Sequence, residues 1–478
     1  MIALLDLVTG ARGLPVVVVG DAVLDGWLHG PSSRLSREAP VPVVDITQTR
    51  YAPGGAANTA VNLVALGARV RFLSVVGDDA DGDLLRRVLC EAGVDDADVL
   101  VEPGRTTCAK RRVSAGSQML TRFDTGTSAP VGGGTRAALA GLLRDAAASA
   151  AAVVVSDYGL GLLADGAVEL VTSLDHPCVV VDARRPQRWA PARPRAVKPN
   201  FAELEALLEP GLDRAEQVVA AAELLHAAFG AQVVAATLDT DGAVVLSGGP
   251  PVRLHTTPQP GGNAAGAGDS FTAALALALA QGAAPALAGE LAQRAAQVVV
   301  RSPGTTACTA AELREAVSTD DQRVGDLERL AHLVARHRAH GRRIAFTNGC
   351  FDVLHAGHVA HLREARSLAD VLVVGLNSDD SVRRLKGPER PVNGVEDRLA
   401  VLSGITGVDH LVVFDADTAA ELLEVVRPEV YVKGGDYPPE MLPETALVER
   451  LGGEVVTLGW VDEHSTDELL DRIRATSW

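Results

Sequence analysis

The sequence predicts an α/β protein, with one largely parallel sheet in each of two domains. Short β-branched runs alternate with Ala- and Leu-rich helical stretches along all 478 residues. Continuous apolar strands separated by helices are typical of a parallel sheet that is covered on both faces. The length agrees, because a domain usually takes roughly 100–200 residues.

The predicted strands fall into two groups. The first group comprises Val16–Val19, Val153–Val155, Val179–Val181 and Gln232–Ala236. The second group comprises Ile344–Phe346, Val371–Gly375, Leu411–Phe414 and Glu429–Val432. Between the groups, a predicted helix around Ala310–Val317 gives way to a polar run without helical periodicity at 318–323. We therefore predict two domains, 1–318 and 319–478.

Composition and charge exclude several classes of function. The chain has 44 Lys and Arg against 61 Asp and Glu, a net charge of −17, which argues against non-specific binding to nucleic acid or to an anionic membrane. The N-terminus lacks the basic region of a signal peptide, and no apolar stretch is long enough to span a bilayer. Five scattered cysteines fit a reducing compartment. We expect a cytoplasmic protein with no nucleic-acid or membrane partner.

Lysine is rare in this chain. Only Lys110, Lys198, Lys386 and Lys433 occur, and Arg supplies the remaining basic residues. Each lysine is therefore a candidate for a site that needs a compact ammonium group rather than a planar guanidinium.

The most specific motif runs from Thr347 to His358, where a predicted strand enters a glycine turn and then a helix near His355. This arrangement directs backbone N–H groups and the positive end of a helix dipole at one point, which favours an anion. His355 and His358 can both face that anion. The alternatives are two surface histidines or two metal ligands, and no third metal ligand is spaced nearby.

The H-x-G-H phrase in this segment resembles a signature of nucleotidyltransferases, and the resemblance implies nucleotidyl transfer, in which a phosphorylated acceptor attacks the α-phosphate of a nucleotide and pyrophosphate leaves. The site would act by positioning and by stabilising charge. His355 and His358 would contact the phosphates, and Lys386, predicted in a loop, would add a charge unless it is a plain surface lysine. Ser465 and Thr466 either cap the following helix or bind the outer phosphates.

The H-x-G-H phrase resembles the cytidylyltransferase-like nucleotidyltransferases. Further segments, in order, resemble the adenylyltransferase half of the bifunctional enzymes that make ADP-D-glycero-β-D-manno-heptose: Asn377–Asp379, Arg384–Gly387, Arg390–Asn393, Glu396–Arg398 and Val432–Tyr437. The resemblance implies ATP as the nucleotide and a sugar 1-phosphate as the acceptor. It implies nucleotide contacts at Thr347, Asn348, Gly349 and Phe351, and substrate contacts at Lys433 and Asp436. Asp467 departs from the family, which usually has a second Thr there.

A second set of candidate residues lies in the first domain. Asp21 and Asp25 follow the strand Val16–Val19 and either accept sugar hydroxyls or solubilise a loop. Gly54 and Gly55 precede Asn58 at the start of a predicted helix, Thr59–Leu66, where they admit a ligand to the backbone or only cap the helix.

The strongest element of this domain is Gly266-Ala267-Gly268-Asp269, which leads into an Ala- and Leu-rich helix. The first three residues offer unhindered N–H groups at a helix start, which suits a transferring phosphate. Asp269 can take the proton from an attacking hydroxyl, unless it only caps the helix.

In order, these motifs resemble the ribokinase-type carbohydrate kinases from residue 14 to about 315. The resemblance assigns Asn200 and Glu203 to the organisation of Mg²⁺ and phosphates, with Glu203 acting through water. The segment Gly30–Val43 narrows the resemblance to the heptose 7-phosphate kinase half of the same bifunctional enzymes. Arg34 and Lys110 are then contacts for a sugar phosphate, or else surface charges. No Walker-type phosphate loop occurs.

Three positions depart from the kinase family. Asn263 and Ala265 stand where the family usually has Asp and Thr, and Leu160 stands where it has Lys. The sequence thus predicts a cytoplasmic, bifunctional sugar kinase and adenylyltransferase that uses ATP and Mg²⁺, with a homodimer implied by the resemblance. Two alternatives stay open: the same chemistry on another sugar phosphate, or a non-catalytic half, of which the kinase is the better candidate.

Overall fold

The computed structural model describes residues 4–116, 118–164, 166–209, 211–256, 265–300, 306–325, 327–339, 341–435 and 441–459. It divides into two compact units, Met1–Val317 and Ser318–Trp478, beside the predicted boundary between residues 318 and 319. Both units are α/β, which confirms the predicted fold class.

The first unit contains the following elements. Its strands are β1 (Pro15–Gly20), β2 (Ala22–His29), β3 (Arg34–Leu35), β4 (Pro42–Val43), β5 (Gln48–Gly55), β6 (Arg69–Gly77), β7 (Val99–Glu102), β8 (Ala109–Ala115), β9 (Gln118–Thr125), β10 (Ala152–Asp157), β11 (Val179–Ala183), β12 (Ala196–Val197), β13 (Val233–Thr237), β14 (Ala243–Leu246) and β15 (Val252–Leu254). Its helices are α1 (Leu4–Gly10), α2 (Ala56–Ala65), α3 (Ala80–Glu91), α4 (Gly133–Ala147), α5 (Ala167–Ser173), α6 (Phe201–Leu204), α7 (Arg214–Ala220), α8 (Ala222–Phe229), α9 (Ala267–Ala280), α10 (Pro285–Val300) and α11 (Ala310–Gln322), the last of which runs into the second unit.

Nine strands of this unit form one sheet, in the order β15-β14-β13-β12-β11-β10-β1-β6-β7. The pairs from β12 to β7 are parallel, as is β12 with β13, and only β14 and β15 run antiparallel to their neighbours. Along β1, Val16 and Val18 pack into one apolar core, and Val17 and Val19 pack into another. The sheet is thus covered on both faces, as predicted, because alternate side chains point in opposite directions.

A separate four-stranded sheet, in the order β5-β2-β8-β9, was not predicted. Asp25 lies inside β2 of this sheet and not in a loop after β1, so the predicted placement of Asp25 is wrong. The chain starts a new strand directly after Asp21, which alone occupies the turn at the end of β1.

The second unit forms a six-stranded parallel sheet. Its order is β16-β19-β18-β17-β20-β21, where the strands are β16 (Arg323–Val324), β17 (Ile344–Gly349), β18 (Val371–Asn377), β19 (His410–Phe414), β20 (Val430–Gly434) and β21 (Glu454–Leu458). The helices are α12 (Leu327–Ala339), α13 (Ala356–Ser367), α14 (Asp379–Lys386), α15 (Val395–Ser403), α16 (Ala420–Val426) and α17 (Thr445–Arg450). In β17, Ile344 and Phe346 face one core and Ala345 faces the other.

Two further observations concern the helices. Residues 318–322 were predicted to lack regular structure, but they continue helix α11, because a run of polar residues without an apolar stripe can still extend a helix. Within the described residues, each helix is too short or too polar to traverse a bilayer.

Candidate active sites

The first candidate site is centred on Asp269, a buried residue in the first turn of α9. Its carboxylate accepts hydrogen bonds from Asn58 Nδ2 at 2.6 Å, Tyr158 Oη at 2.9 Å and Thr59 Oγ1 at 3.3 Å. Burial raises the pKa of Asp269 to about 6, against the opposing effect of the Asn58 and Tyr158 donors. A carboxylate with a raised pKa at this position can accept a proton near neutral pH.

The start of α9 places backbone N–H groups beside this carboxylate. Gly266 adopts a left-handed conformation with φ of +87°, and the helix begins at Ala267. A Cβ atom on Gly268 would lie 3.1 Å from Lys198 Nζ, so a larger residue would crowd the ammonium group. The predicted phosphate site therefore combines the N-terminal end of α9 with the buried ammonium group of Lys198.

Lys198 is held by Asp182, whose Oδ2 lies 2.9 Å from Lys198 Nζ and also accepts a hydrogen bond from Thr272 Oγ1 at 2.9 Å. Burial tends to lower the pKa of Lys198, but Asp182 outweighs this effect and raises it, so the ammonium stays charged.

Asn200 and Glu203 cap the short helix α6. Asn200 Oδ1 accepts from the backbone N–H of Glu203, and Glu203 Oε2 accepts from the backbone N–H of Asn200, both at 2.9 Å. Glu203 is only partly buried, and its Oε1 makes no hydrogen bond within the described residues. Burial raises the pKa of Glu203, and Lys198 opposes that shift.

Asp21 and Asp25 are both engaged by the protein. The Asp21 carboxylate accepts hydrogen bonds from the backbone N–H groups of Tyr158, Leu160 and Leu162, at 3.0, 3.0 and 3.2 Å. Asp21 thus fixes the loop that presents Tyr158 to Asp269. Arg112 Nη1 lies 3.0 Å from Asp25 Oδ1.

The two predicted glycines make room for these acids. A Cβ atom on Gly54 would lie 2.4 Å from Asp25 Oδ2. Gly55 has φ of +59°, and a Cβ atom there would lie 2.7 Å from the backbone oxygen of Asp21. Gly55 is also the residue before α2, which begins at Ala56 rather than at the predicted Thr59.

The two cations predicted to contact a sugar phosphate lie in different surroundings. Lys110 is partly buried, and its Nζ is 5.4 Å from the centre of the Tyr158 ring. Arg34 lies on the exposed strand β3 and is 3.6 Å from Asp45. Lys110 therefore lies against Tyr158, whose hydroxyl donates to Asp269, whereas Arg34 pairs with Asp45.

The second candidate site lies at the end of β17 and the start of α13. Thr347 is buried, and its Oγ1 is 3.1 Å from His361 Nε2, while Tyr431 Oη donates to Asn348 Oδ1 at 2.8 Å. Gly349 is the last residue of β17, and Phe351 follows in the left-handed region with φ of +46°. These residues form the turn that the motif predicted.

His355 is the residue before α13, which confirms the predicted helix start, and its ring centre lies 3.9 Å from that of His358. The Phe351 ring packs 5.3 Å from His358. Burial lowers the pKa of His358 to about 4, and His355, His361 and Lys386 add to the shift. His358 is therefore neutral at physiological pH and can donate one N–H.

The two lysines of this unit differ. Lys386 is exposed and is the last residue of helix α14, so its predicted place in a loop is wrong. Gly387 follows with φ of +100°, and the helix ends there. Lys433 is partly buried in β20, 5.8 Å from the centre of the Tyr431 ring. Burial lowers the pKa of Lys433.

Sequence reasoning missed several residues that hold these sites together. Arg398 is 1% exposed and donates to the backbone oxygens of Cys350 and Asn377 at 2.6 and 2.9 Å, and to Asp379 Oδ1 at 2.6 Å. It thereby fixes the turn after β17 to the end of β18. In the first unit, Tyr158 and Asp182 were missed, although each lies at the end of a predicted strand.

Four residues of interest lie outside the described part of the chain. They are Asn263, Asp436, Ser465 and Thr466.

Comparison with protein families identifies both domains. Residues 15–312 match the pfkB family carbohydrate kinase model, and residues 346–462 match the cytidylyltransferase-like model. The first unit also resembles ribokinase from Arabidopsis thaliana (TM-score 0.52, 19% identity) and phosphofructokinase-2 from Escherichia coli (TM-score 0.52, 20% identity). These structures cover 64% of this chain and 99% and 98% of their own, and at such identity they show the fold alone.

The fold and the two sites define a carbohydrate kinase joined to a nucleotidyltransferase. The chain is 40% identical to the bifunctional protein HldE of Mesorhizobium japonicum, covering 97% of this chain and 96% of the relative, and 41% identical to that of Pseudomonas aeruginosa, covering 96% and 97%. It belongs to the bifunctional HldE family. The prediction of a bifunctional enzyme of ADP-heptose biosynthesis is confirmed by this membership together with the two matched domains.

Proposed function

We propose that the first domain transfers the γ-phosphate of ATP to the C1 hydroxyl of D-glycero-β-D-manno-heptose 7-phosphate. The observation that carries this proposal is Asp269, a buried carboxylate with a raised pKa at the free start of α9. The second domain transfers AMP from ATP to D-glycero-β-D-manno-heptose 1-phosphate. The 7-phosphate must be removed between the two steps by a separate phosphatase.

In the kinase step, Asp269 takes the proton of the C1 hydroxyl as its oxygen attacks the γ-phosphorus. The bond between the γ-phosphorus and the β,γ-bridging oxygen breaks, and ADP leaves. The N–H groups at Gly266, Ala267 and Gly268, together with the Lys198 ammonium, offset the charge on the transferring group. The three donors to Asp269 hold its carboxylate in one orientation.

Mg²⁺ fits this site through Glu203 and the phosphates. Glu203 has one oxygen free of protein donors, and the described residues contain no cluster of three His, Cys, Asp or Glu that could enclose a metal. This donor set suits Mg²⁺, which keeps several waters and binds mainly to substrate phosphates. When bound, the ion neutralises negative charge on the phosphates.

In the nucleotidyl step, a phosphate oxygen of the sugar 1-phosphate attacks the α-phosphorus of ATP, and pyrophosphate leaves. His355 and His358 donate to the phosphates from the start of α13, and Lys386 and Lys433 supply positive charge. Thr347, Asn348, Gly349 and Phe351 shape the turn that receives the nucleotide. Asp436, Ser465 and Thr466 complete the predicted contacts from outside the described residues.

A substrate panel tests the proposal. The purified chain is given ATP and Mg²⁺ with heptose 7-phosphate, a hexose 6-phosphate or a pentose 5-phosphate, and ADP release is measured. The second half is given heptose 1-phosphate with ATP or CTP, and pyrophosphate release is measured. We expect kcat/KM to be highest for heptose 7-phosphate and for ATP. A hexose or pentose phosphate used more efficiently would replace the heptose assignment, and nucleotide binding without turnover would mark a non-catalytic half.

The family resemblance also supports a homodimer, associated through the kinase half, and the scattered cysteines support a cytoplasmic location. Light scattering of the full chain tests the oligomeric state, and a monomer at micromolar concentration would contradict it.

A further inference from the structure

His361 lies in α13, three residues after His358 and outside the predicted motif that ends at His358. Residues three apart on a helix lie on the same face, one above the other. His361 is also close enough to His358 to add to the lowering of the pKa of His358. The row of histidines that begins at His355 therefore continues for one more turn of α13, beyond the residues that the proposed reaction uses.

The two ring nitrogens of His361 have different surroundings. Nε2 lies 3.1 Å from Thr347 Oγ1, in β17. Nδ1 is buried and makes no hydrogen bond within the described residues. A buried polar atom without a partner is unfavourable, and in native proteins it is usually paired with protein, water or a ligand. Nδ1 is therefore the atom of His361 that is available to a bound molecule.

Gly434 provides space beside this nitrogen. It is exposed, and it is the last residue of β20, which runs parallel to β17. A Cβ atom on Gly434 would lie 3.6 Å from His361 Nδ1 and 3.8 Å from His361 Cε1. Among the described residues, no other atom beyond the chain neighbours of Gly434 would come within 4 Å of that Cβ atom. The missing side chain thus leaves a position next to Nδ1 that a ligand atom of similar size can occupy.

The groups around this position favour an anion. Burial lowers the pKa of His361, and Lys433 adds to the effect, so the imidazole is neutral at physiological pH and carries one N–H. Lys433 directly precedes Gly434 and is close enough to His361 to influence its pKa. An N–H donor and a cation that lie near one open position suit a phosphate oxygen, which accepts hydrogen bonds and carries negative charge.

We propose that His361 Nδ1 donates a hydrogen bond to a phosphate oxygen of a bound substrate, in the space beside Gly434. Such an oxygen only accepts, so it selects the tautomer with the hydrogen on Nδ1. Thr347 then donates its hydroxyl hydrogen to Nε2, and both ring nitrogens are paired. This inference rests on the proposed nucleotidyl transfer and adds a third histidine contact to it. The oxygen comes either from ATP or from the sugar 1-phosphate.

Two substitutions of His361 separate the roles of its nitrogens. The Asn amide of His361→Asn can place an N–H near the position of Nδ1, whereas the Gln amide of His361→Gln reaches the position of Nε2 and the Thr347 hydroxyl. Pyrophosphate release is measured to obtain kcat/KM for ATP and for heptose 1-phosphate, each with the other substrate saturating. We expect His361→Gln to lower kcat/KM at least fivefold for the substrate that supplies the oxygen, and His361→Asn to stay within twofold of the wild type.

Gly434→Ala tests the space from the other side. The added Cβ atom makes only ordinary contacts with the His361 ring, so the variant should fold, but it occupies the position of the ligand oxygen. We expect the same loss as in His361→Gln. The double variant should lose no more than either single variant, because both remove one contact. Gly404→Ala, at an exposed position with φ of −79°, is the matched control and should behave as the wild type. Thermal unfolding checks that each variant is folded.

Three results would overturn the proposal: unchanged kinetics in Gly434→Ala, an equal loss in His361→Asn and His361→Gln, or additive losses in the double variant. The second result would leave His361 a purely structural neighbour of Thr347. If the wild type forms no ADP-sugar from heptose 1-phosphate, the proposed nucleotidyl transfer fails on its own. Calorimetry with ATP and with inorganic phosphate then still decides the inference: binding weakened in both His361→Gln and Gly434→Ala supports the contact, and equal binding rejects it.

Discussion

Burial acts in opposite directions on the titrating groups of the two sites. In the kinase site it raises the pKa of Asp269 to about 6, and in the nucleotidyltransferase site it lowers the pKa of His358 to about 4. The cause is the same, since burial disfavours whichever form carries the charge. The difference fits what the two proposed reactions need: the first site contains a carboxylate that can take a proton near neutral pH, whereas the second contains a neutral histidine that can donate to a phosphate.

The largest expected effect separates the two sites outright. Asp269→Asn removes the base, so kinase kcat should fall about 10²–10⁴-fold, because general-base catalysis contributes a factor of that size. Pyrophosphate release from ATP and supplied heptose 1-phosphate should stay near the wild-type rate. Asp83→Asn, at an exposed position of α3, is the matched control. A parallel loss of both activities in a folded Asp269→Asn protein would contradict independent sites.

The reciprocal variant is His355→Ala. Losing a phosphate donor at the start of α13 should lower pyrophosphate release about 10²–10³-fold, as for other donors to a charged transition state. ADP release by the kinase half should not change. His176, a partly buried residue whose ring contacts the backbone of Ala150 in the first unit, gives the control variant His176→Ala. Continued ADP-sugar formation at the normal rate in His355→Ala would reject the role of His355.

A smaller effect is expected from removing the hydroxyl of the tyrosine that orients a polar group in each site, Tyr158 in the first and Tyr431 in the second. Tyr158→Phe removes a donor that lowers the pKa of Asp269, so the acidic limb of the kinase pH profile should move to higher pH. At pH 6 the kinase rate should fall by about threefold to tenfold, within the range of the net contribution of one hydrogen bond, about 0.5–1.5 kcal/mol. Tyr431→Phe, which removes the donor to Asn348, is the counterpart and should leave the kinase profile unchanged. An unshifted profile in Tyr158→Phe would separate Tyr158 from the base.

The smallest effect is a difference in pH dependence within the unmodified protein. Asp269 must be ionised to act as a base, so kinase kcat should fall as pH drops through about 6, to about half its plateau at the pKa. His358, with a pKa of about 4, is already neutral at pH 6, so nucleotidyl transfer should change little between pH 6 and 7.5. Saturating substrate is needed because phosphate groups themselves titrate near pH 6. A kinase rate that is flat down to pH 5 would contradict the assigned base.

Both candidate centres could be proposed from the sequence because each lies on a contiguous segment. The H-x-G-H phrase contains the helix start at His355, and Gly266–Asp269 contains both the helix end and the base. Local chain geometry alone brings such groups together, so their order in the sequence is enough to find them.

Groups that meet through long-range pairing were not predicted. Asp182 and Lys198 come together because β11 and β12 are parallel neighbours, and Tyr158 reaches Asp269 across 111 residues of sequence. The four-stranded sheet escaped detection for a related reason. Buried Asp25 in β2 pairs with Lys110 in β8, and β9 is largely exposed, so these strands lack the apolar pattern of a sheet that is covered on both faces.

The central claim is that two independent sites act on successive heptose phosphates. Its most direct test is mass analysis of the products. The wild-type chain is supplied with ATP, Mg²⁺ and heptose 7-phosphate, and then separately with heptose 1-phosphate. The account predicts a heptose bisphosphate in the first reaction, with ADP-heptose only after a 7-phosphatase is added, and ADP-heptose with pyrophosphate in the second. Recovery of unaltered heptose 7-phosphate from the first reaction would contradict the account. So would an ADP-sugar that forms from supplied heptose 1-phosphate only when the kinase domain is also active.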